Sequence, residues 1–166
     1  VTFLTGNHDP EISPHHRLDI ASGQIFVTHG DIIFDQIVPW GRDAAAFGRL
    51  IAADLAALPT TARHDLDCRL TIWRRAAAAL PQRHLSGRQG PRYTISYLAD
   101  TVWPPWRILK ILRAWQVEPS RAVELVRRHR PAARYVLVGH LHRPAIWRDP
   151  TGVVAINTGS FSPPFG

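Results

Sequence analysis

An α/β fold is the expectation from this sequence. Four short apolar stretches read as strands, each empties into a Gly-containing polar loop, and the stretch between Val38 and Pro131 carries a helical period instead. The strand-like stretches are Val1–Leu4 into "TGNHD", Gln24–Val27 into "THGD", Tyr135–Val138 into "GHLH" and Val153–Ile156 into "NTGS". β-branched and aromatic residues suit a pleated core, so Val1, Phe3 and Leu4 are expected to be buried. In α/β folds ligand sites gather where loops leave the ends of neighbouring strands, and these four loops are expected on one edge.

The helical stretch is justified in the same way. Phe47, Leu50, Ile51, Leu55 and Leu58 repeat at i, i+3, i+4 until Pro59 stops them. Leu66, Leu70, Trp73, Ala77 and Leu80 repeat the pattern between a cap at Thr60-Thr61 and a stop at Pro81. "HLSGRQGP" (residues 84–91) reads as a loop. Trp106, Leu109 and Leu112 predict a helix with Pro105 in its first turn. A further helix is expected over residues 120–130, with Arg127, Arg128 and Arg130 at its negative end. The expectation is one domain over 1–166, with a helical insertion at about 39–131 and no separate linkers.

With 45% hydrophobic and 20% charged residues the chain can bury a core, which excludes a disordered tail. The net charge of +7 predicts attraction to phosphates and anionic surfaces, although a solvated basic surface is the commoner meaning of such a charge. Cys68 is the one cysteine, so no intrachain disulfide forms and a reducing compartment fits. The expected location is the cytoplasm, peripheral to the membrane.

Chemistry concentrates in the histidines. His15, His16, His64, His84 and His129 read as solvated loop or helix-face residues. His8, His29, His140 and His142 each follow a strand directly, joined by Asn7 and flanked by Gly6, Gly30 and Gly139. One histidine after a strand is ordinarily a hydrogen-bonded loop residue, whereas four together match the imidazole and amide or carboxylate ligand set of Mn, Fe, Zn or Ni. A glycine beside each ligand removes the Cβ and lets the backbone turn sharply. Two residues apart in an extended segment, His140 and His142 are expected to aim the same way.

"GNHD" at 6–9, "HGD" at 29–31 and "GHLH" at 139–142, in this order, resemble the last three motifs of the calcineurin-like metallophosphoesterases, and "INTGS" at 156–160 resembles the strand and turn that follow. The resemblance covers residues 1–38 and about 134–162. "HGD", "GHLHRP" and the helical insert are similar to the branch containing UDP-2,3-diacylglucosamine pyrophosphohydrolases. It implies a two-sheet sandwich flanked by helices and hydrolysis of a phosphoester or pyrophosphate bond at two divalent metal ions, Mn²⁺ first. By position, Asn7, His29 and His140 resemble ligands of one metal and His142 a ligand of its neighbour. His8 resembles the histidine that donates to the phosphoryl or leaving oxygen, and Asp9 the carboxylate that orients it. Arg143 suits a substrate phosphate, with an exposed structural role as the alternative; Asp31 is either behind the metal or a turn residue. The family's Asp-x-His and Gly-Asp-x-x-Asp motifs have no counterpart here. The chain is therefore expected to be an N-terminally truncated piece, inactive alone, that aggregates along the edges of missing strands. A non-catalytic scaffold and a nucleic-acid phosphodiesterase are the rival readings. The implied partner is a phosphate-containing small molecule or lipid-linked nucleotide. An anionic membrane surface joins it if Trp103 and Trp106 lie on a lid and not, as is commoner, in the insert's own core.

Overall fold

A computed structural model describes residues 1–80 and 103–160. Five strands form one mixed sheet: β1 (Arg17–Ile20), β2 (Ile25–Thr28), β3 (Tyr135–Val138), β4 (Ala145–Arg148) and β5 (Val154–Asn157), in the spatial order β1-β2-β3-β5-β4. The central strands β2, β3 and β5 run parallel, with Phe26 beside Val136 and Leu137 beside Ile156; β1 and β4 are antiparallel edges. Parallel strands empty at the same end, so the loops after β2, β3 and β5 leave from one edge of the sheet, as the α/β reading requires.

Helices α1 (Ala44–Ala57), α2 (Leu66–Ala79) and α3 (Trp106–His129) all fall between β2 and β3 in the chain. α1 buries Phe47 and Ile51 as the period predicts, while Leu50 is exposed. α2 buries Leu66, Leu70, Trp73 and Ala77. Its cap is Asp65, whose carboxylate accepts from the Cys68 N–H at 2.8 Å, and not Thr60-Thr61. The two helices expected around residues 106–112 and 120–130 are one continuous helix through Pro119. A proline inside a helix removes a hydrogen bond and costs about 3 kcal/mol in isolation. The helix survives because Ala114, Glu118, Ala122 and Val126 form an unbroken i, i+4 row of buried positions spanning it.

One core joins the insertion to the sheet. Phe26, Val136, Val138 and Ala155 meet Ala122, Val123 and Val126 of α3, and Ile32–Phe34 with Ile37 carry the core onward to Leu70, Ile72 and Trp73 of α2. The Trp73 indole donates to the Phe34 carbonyl at 3.0 Å, which satisfies the polar handle of a fully buried ring. Trp115 packs partly buried on this core, whereas Trp103 and Trp106 are exposed. The account in which all the insert's tryptophans fill its core holds for Trp73 and fails for those two. No described helix is long and apolar enough to cross a membrane.

Val1–Leu4 is not a strand: Val1 and Phe3 are exposed and the segment joins no ladder among the described residues. Apolar alternation signals a strand only where a neighbouring strand supplies hydrogen bonds and cover. The predicted loop at 84–91, His84 and residues 161–166 lie outside the described residues.

Candidate metal centre

Three loops bring donors together. The chain enters from Thr5, whose N–H donates to the His15 carbonyl at 2.8 Å and whose hydroxyl donates to the Asp9 carbonyl at 2.8 Å. This folds residues 5–9 into a tight loop over His29. Gly6 lies against the His29 ring so closely that a Cβ would stand 2.6 Å from the imidazole. Only glycine fits there, which gives the "GNHD" glycine its physical reason. Gly30 follows at φ 104°, and a Cβ there would meet Val138 Cβ at 3.0 Å.

Asn7 is buried, and its Oδ1 lies 2.9 Å from His29 Nε2. His140 Nδ1 lies 3.3 Å from the same His29 nitrogen. Both are hydrogen-bond separations, and they also lie at or near the about 3.0–3.4 Å that metal–nitrogen bonds of about 2.0–2.1 Å set between two ligands of one cation. The His140 tautomer is fixed from behind. Its Nε2 faces the Ile37 carbonyl at 2.8 Å and must carry the proton, which leaves the Nδ1 lone pair aimed at His29. Phe34 and Trp40 rings flank it at 6.1 and 6.0 Å between centroids. Burial, then the neighbouring His29, pushes the His140 pKa down to about 3, and burial lowers His29 as well. Both rings are therefore neutral near pH 7, the form that ligates.

His142 does not aim with His140. The segment is a turn closed by the His142 N–H on the Gly139 carbonyl at 3.3 Å, and His142 sits at φ 53°. Its ring is instead 6.4 Å from that of His8. His8 and Asp9 are exposed and line an open surface groove with Glu11, Ile12, Ala77 and Ala78. Arg143 is exposed, with its guanidinium 5.1 Å above the Trp115 ring. Among the described residues no three His, Cys, Asp or Glu side chains are grouped to hold a metal. The clustered donors are two imidazoles and an amide, a set that suits one borderline divalent cation and lacks the carboxylate a bridged pair needs.

Sequence reasoning placed His16 in solvent; it is buried. Its Nε2 lies 3.0 Å from Asp31 Oδ1 and its Nδ1 3.1 Å from the Leu70 carbonyl. Both partners are oxygens that can accept, so each ring nitrogen faces a site for an N–H. Burial alone would raise the Asp31 pKa, but the hydrogen bond and charge of His16 outweigh it and hold the carboxylate below its ordinary value. The signal was tertiary: β1 pairs with β2, and Thr28 donates to the His16 carbonyl at 3.1 Å, so residue 16 lands beside the loop after β2.

Glu118 was also missed. It is buried in α3 and accepts from Asn157 Nδ2 at 2.9 and 2.8 Å. Burial pushes its pKa up from 4.5 to about 7 against the pull of that hydrogen bond. A carboxyl whose folded pKa is raised binds more protons folded than unfolded, so stability falls as pH rises from 4.5 through about 7. Because the depressed His140 and His29 change stability with pH in the opposite sense, the contribution of Glu118 is read as a difference: in urea unfolding the unmutated protein should lose up to about 3 kcal/mol relative to Glu118→Gln between pH 4 and pH 8.5. Equal pH slopes in the two proteins would place the titration elsewhere.

No family model, characterised protein or solved structure matches this chain.

Proposed function

We propose that this chain supplies the histidine and asparagine side of the metal centre of a calcineurin-like metallophosphoesterase, an enzyme that hydrolyses a phosphoester or pyrophosphate bond. The observation that carries the reading is the convergence of Asn7 Oδ1, His29 Nε2 and His140 Nδ1 from three loops at ligand-edge spacing. In this reading the observed sheet is one layer of the family's two-sheet sandwich. Asn7, His29 and His140 hold one divalent cation, Mn²⁺ first, and His142 belongs to a second whose acidic ligands are not among the clustered donors. When bound, the pair supplies an activated hydroxide and offsets charge on phosphorus. His8, exposed on the rim near His142, donates a proton to the departing oxygen; Asp9 orients it, and Arg143 takes a phosphate oxygen pair.

Residues 1–166 alone are expected to bind at most one equivalent of Mn²⁺ and to hydrolyse an aryl phosphate negligibly. A protein that joins this chain to the absent carboxylate ligands is expected to turn that substrate over with Mn²⁺, and His8→Ala to lower turnover about 10²–10⁴-fold with metal retained. Such a protein binding Mn²⁺ yet hydrolysing no phosphoester would favour the scaffold reading.

A lipid-borne substrate is favoured by one observation. The first two turns of α3 expose Trp106, Leu109 and Leu112 alongside Arg107, Lys110 and Arg113, with no acidic residue between Trp103 and Val117. Apolar and cationic groups side by side suit an anionic bilayer surface. Sedimentation with phosphatidylserine vesicles should fall with rising salt and with Trp106→Ala plus Leu109→Ala. Indifference to vesicles at low salt would leave a water-soluble phosphoester.

A further inference from the structure

Two carboxyls are buried among the described residues. Asp31 has His16, but Glu118 has no place in the chemistry proposed above. It lies in the row Ala114, Glu118, Ala122 and Val126, where packing alone would select an apolar residue. What it meets is Asn157, the last residue of β5, and the Asn157 amide is engaged at both ends. Nδ2 donates to Glu118, and Oδ1 accepts from the Gly159 N–H at 2.9 Å. Thr158 then reaches across to β3: its N–H donates to the Val138 carbonyl at 2.8 Å and its hydroxyl to the same oxygen at 3.3 Å. A Cβ on Gly139 would lie 3.3 Å from Thr158 Oγ1, and one on Gly159 would lie 3.1 Å from Pro144 Cδ. Residues 157–159 thus lie as a splint along residues 138–144, the segment that carries His140 and His142.

We propose that Glu118 is a positioning residue which, through Asn157, holds this splint and so sets where His140 and His142 present their rings. The proposal rests on the metal reading for its consequence, and on the hydrogen bonds above for its geometry. A cavity of about 30 Å³ adjoins the pair, enough for one water. Of the side chains lining it, Arg143 from the β3–β4 loop is the one other charged group; Val138 of β3, Trp147 of β4 and Ala155 of β5 bring none. A carboxyl that is half protonated near pH 7 needs no counter-ion to act as an acceptor for Asn157, so glutamine can replace it.

The test uses Mn²⁺ titration together with imidazole ¹H–¹⁵N resonances of the metal-free protein. Glu118→Ala should weaken Mn²⁺ binding about tenfold, the size expected when an outer partner of a ligand is lost. It should also shift the His140 and His142 resonances, and Glu118→Gln should restore both. Val123→Ala, which loosens α3 in the core without touching the splint, should lower stability and leave both readouts unchanged. If Glu118→Ala fails to fold, Glu118→Leu refills the volume without an acceptor and is read the same way. Resonances and affinity that move no more than in Val123→Ala would overturn the proposal. If the unmutated protein binds no Mn²⁺, the metal reading fails, and the resonances alone decide whether Glu118 positions the loop.

Discussion

His140→Ala is expected to lower Mn²⁺ affinity by about 100-fold or more, beyond the 10–100-fold that loss of an outer partner brings. The substitution takes away a donor whose lone pair is already fixed in direction by the Ile37 carbonyl, so the protein has no second rotamer or tautomer to offer in its place. Asn7→Ala and His29→Ala should fall in the same class, because Asn7 Oδ1 and His140 Nδ1 both meet His29 Nε2. His8→Ala and His142→Ala should spare the first cation, since their rings lie 6.4 Å from each other and neither is among the three donors that converge at His29 Nε2. Calorimetric titration of the five variants separates the two classes. Near-native affinity in His140→Ala would remove the observation on which the metal reading stands.

Asp31→Ala should cost about 3–5 kcal/mol in urea unfolding at pH 7, the range for removing one partner of a buried ion pair. The loss exceeds that of an ordinary hydrogen bond because His16 Nε2 would be left buried without its partner, with only the Leu70 carbonyl still engaging the ring. The Ile32 N–H, which donates to Asp31 Oδ1 at 3.1 Å, would lose its acceptor as well. Asp31→Asn, which keeps an oxygen for His16, should cost less. Pairing Asp31→Ala with His16→Leu should recover much of the loss, because two apolar groups replace the pair without stranding a polar group. A change within about 1 kcal/mol for Asp31→Ala would mean that the imidazole and carboxylate are not coupled in solution.

How much of this was readable from the chain depends on whether a feature is local or tertiary. β3 occupies the predicted residues Tyr135–Val138, and β2 and β5 are displaced by one residue, since buried parallel strands write themselves as apolar runs. β1 and β4 were invisible because edge strands such as "RLDI" and "AIWR" keep mostly partly or fully exposed residues. Asn7, His29 and His140 stood in the sequence among five residues that follow strand-like stretches at glycines, and the structure brings these three together; the pattern did not set His8 and His142 apart from them. His16 and Glu118 were not legible. A histidine near a strand start and a glutamate in a helix look solvated until the β1–β2 register and the packing of α3 on the sheet bury them.

The run Phe34–Trp40 faces two ways. Phe34 and Trp40 wall in the His140 ring and Ile37 fixes its proton, while Phe34 also receives the Trp73 indole from α2. The insertion therefore cannot be trimmed as a dispensable ornament. A redesigned chain that ran from Trp40 straight into α3, omitting α1 and α2, would strip the backing from this run and leave His140 free to spin, even though every motif histidine remained in the gene.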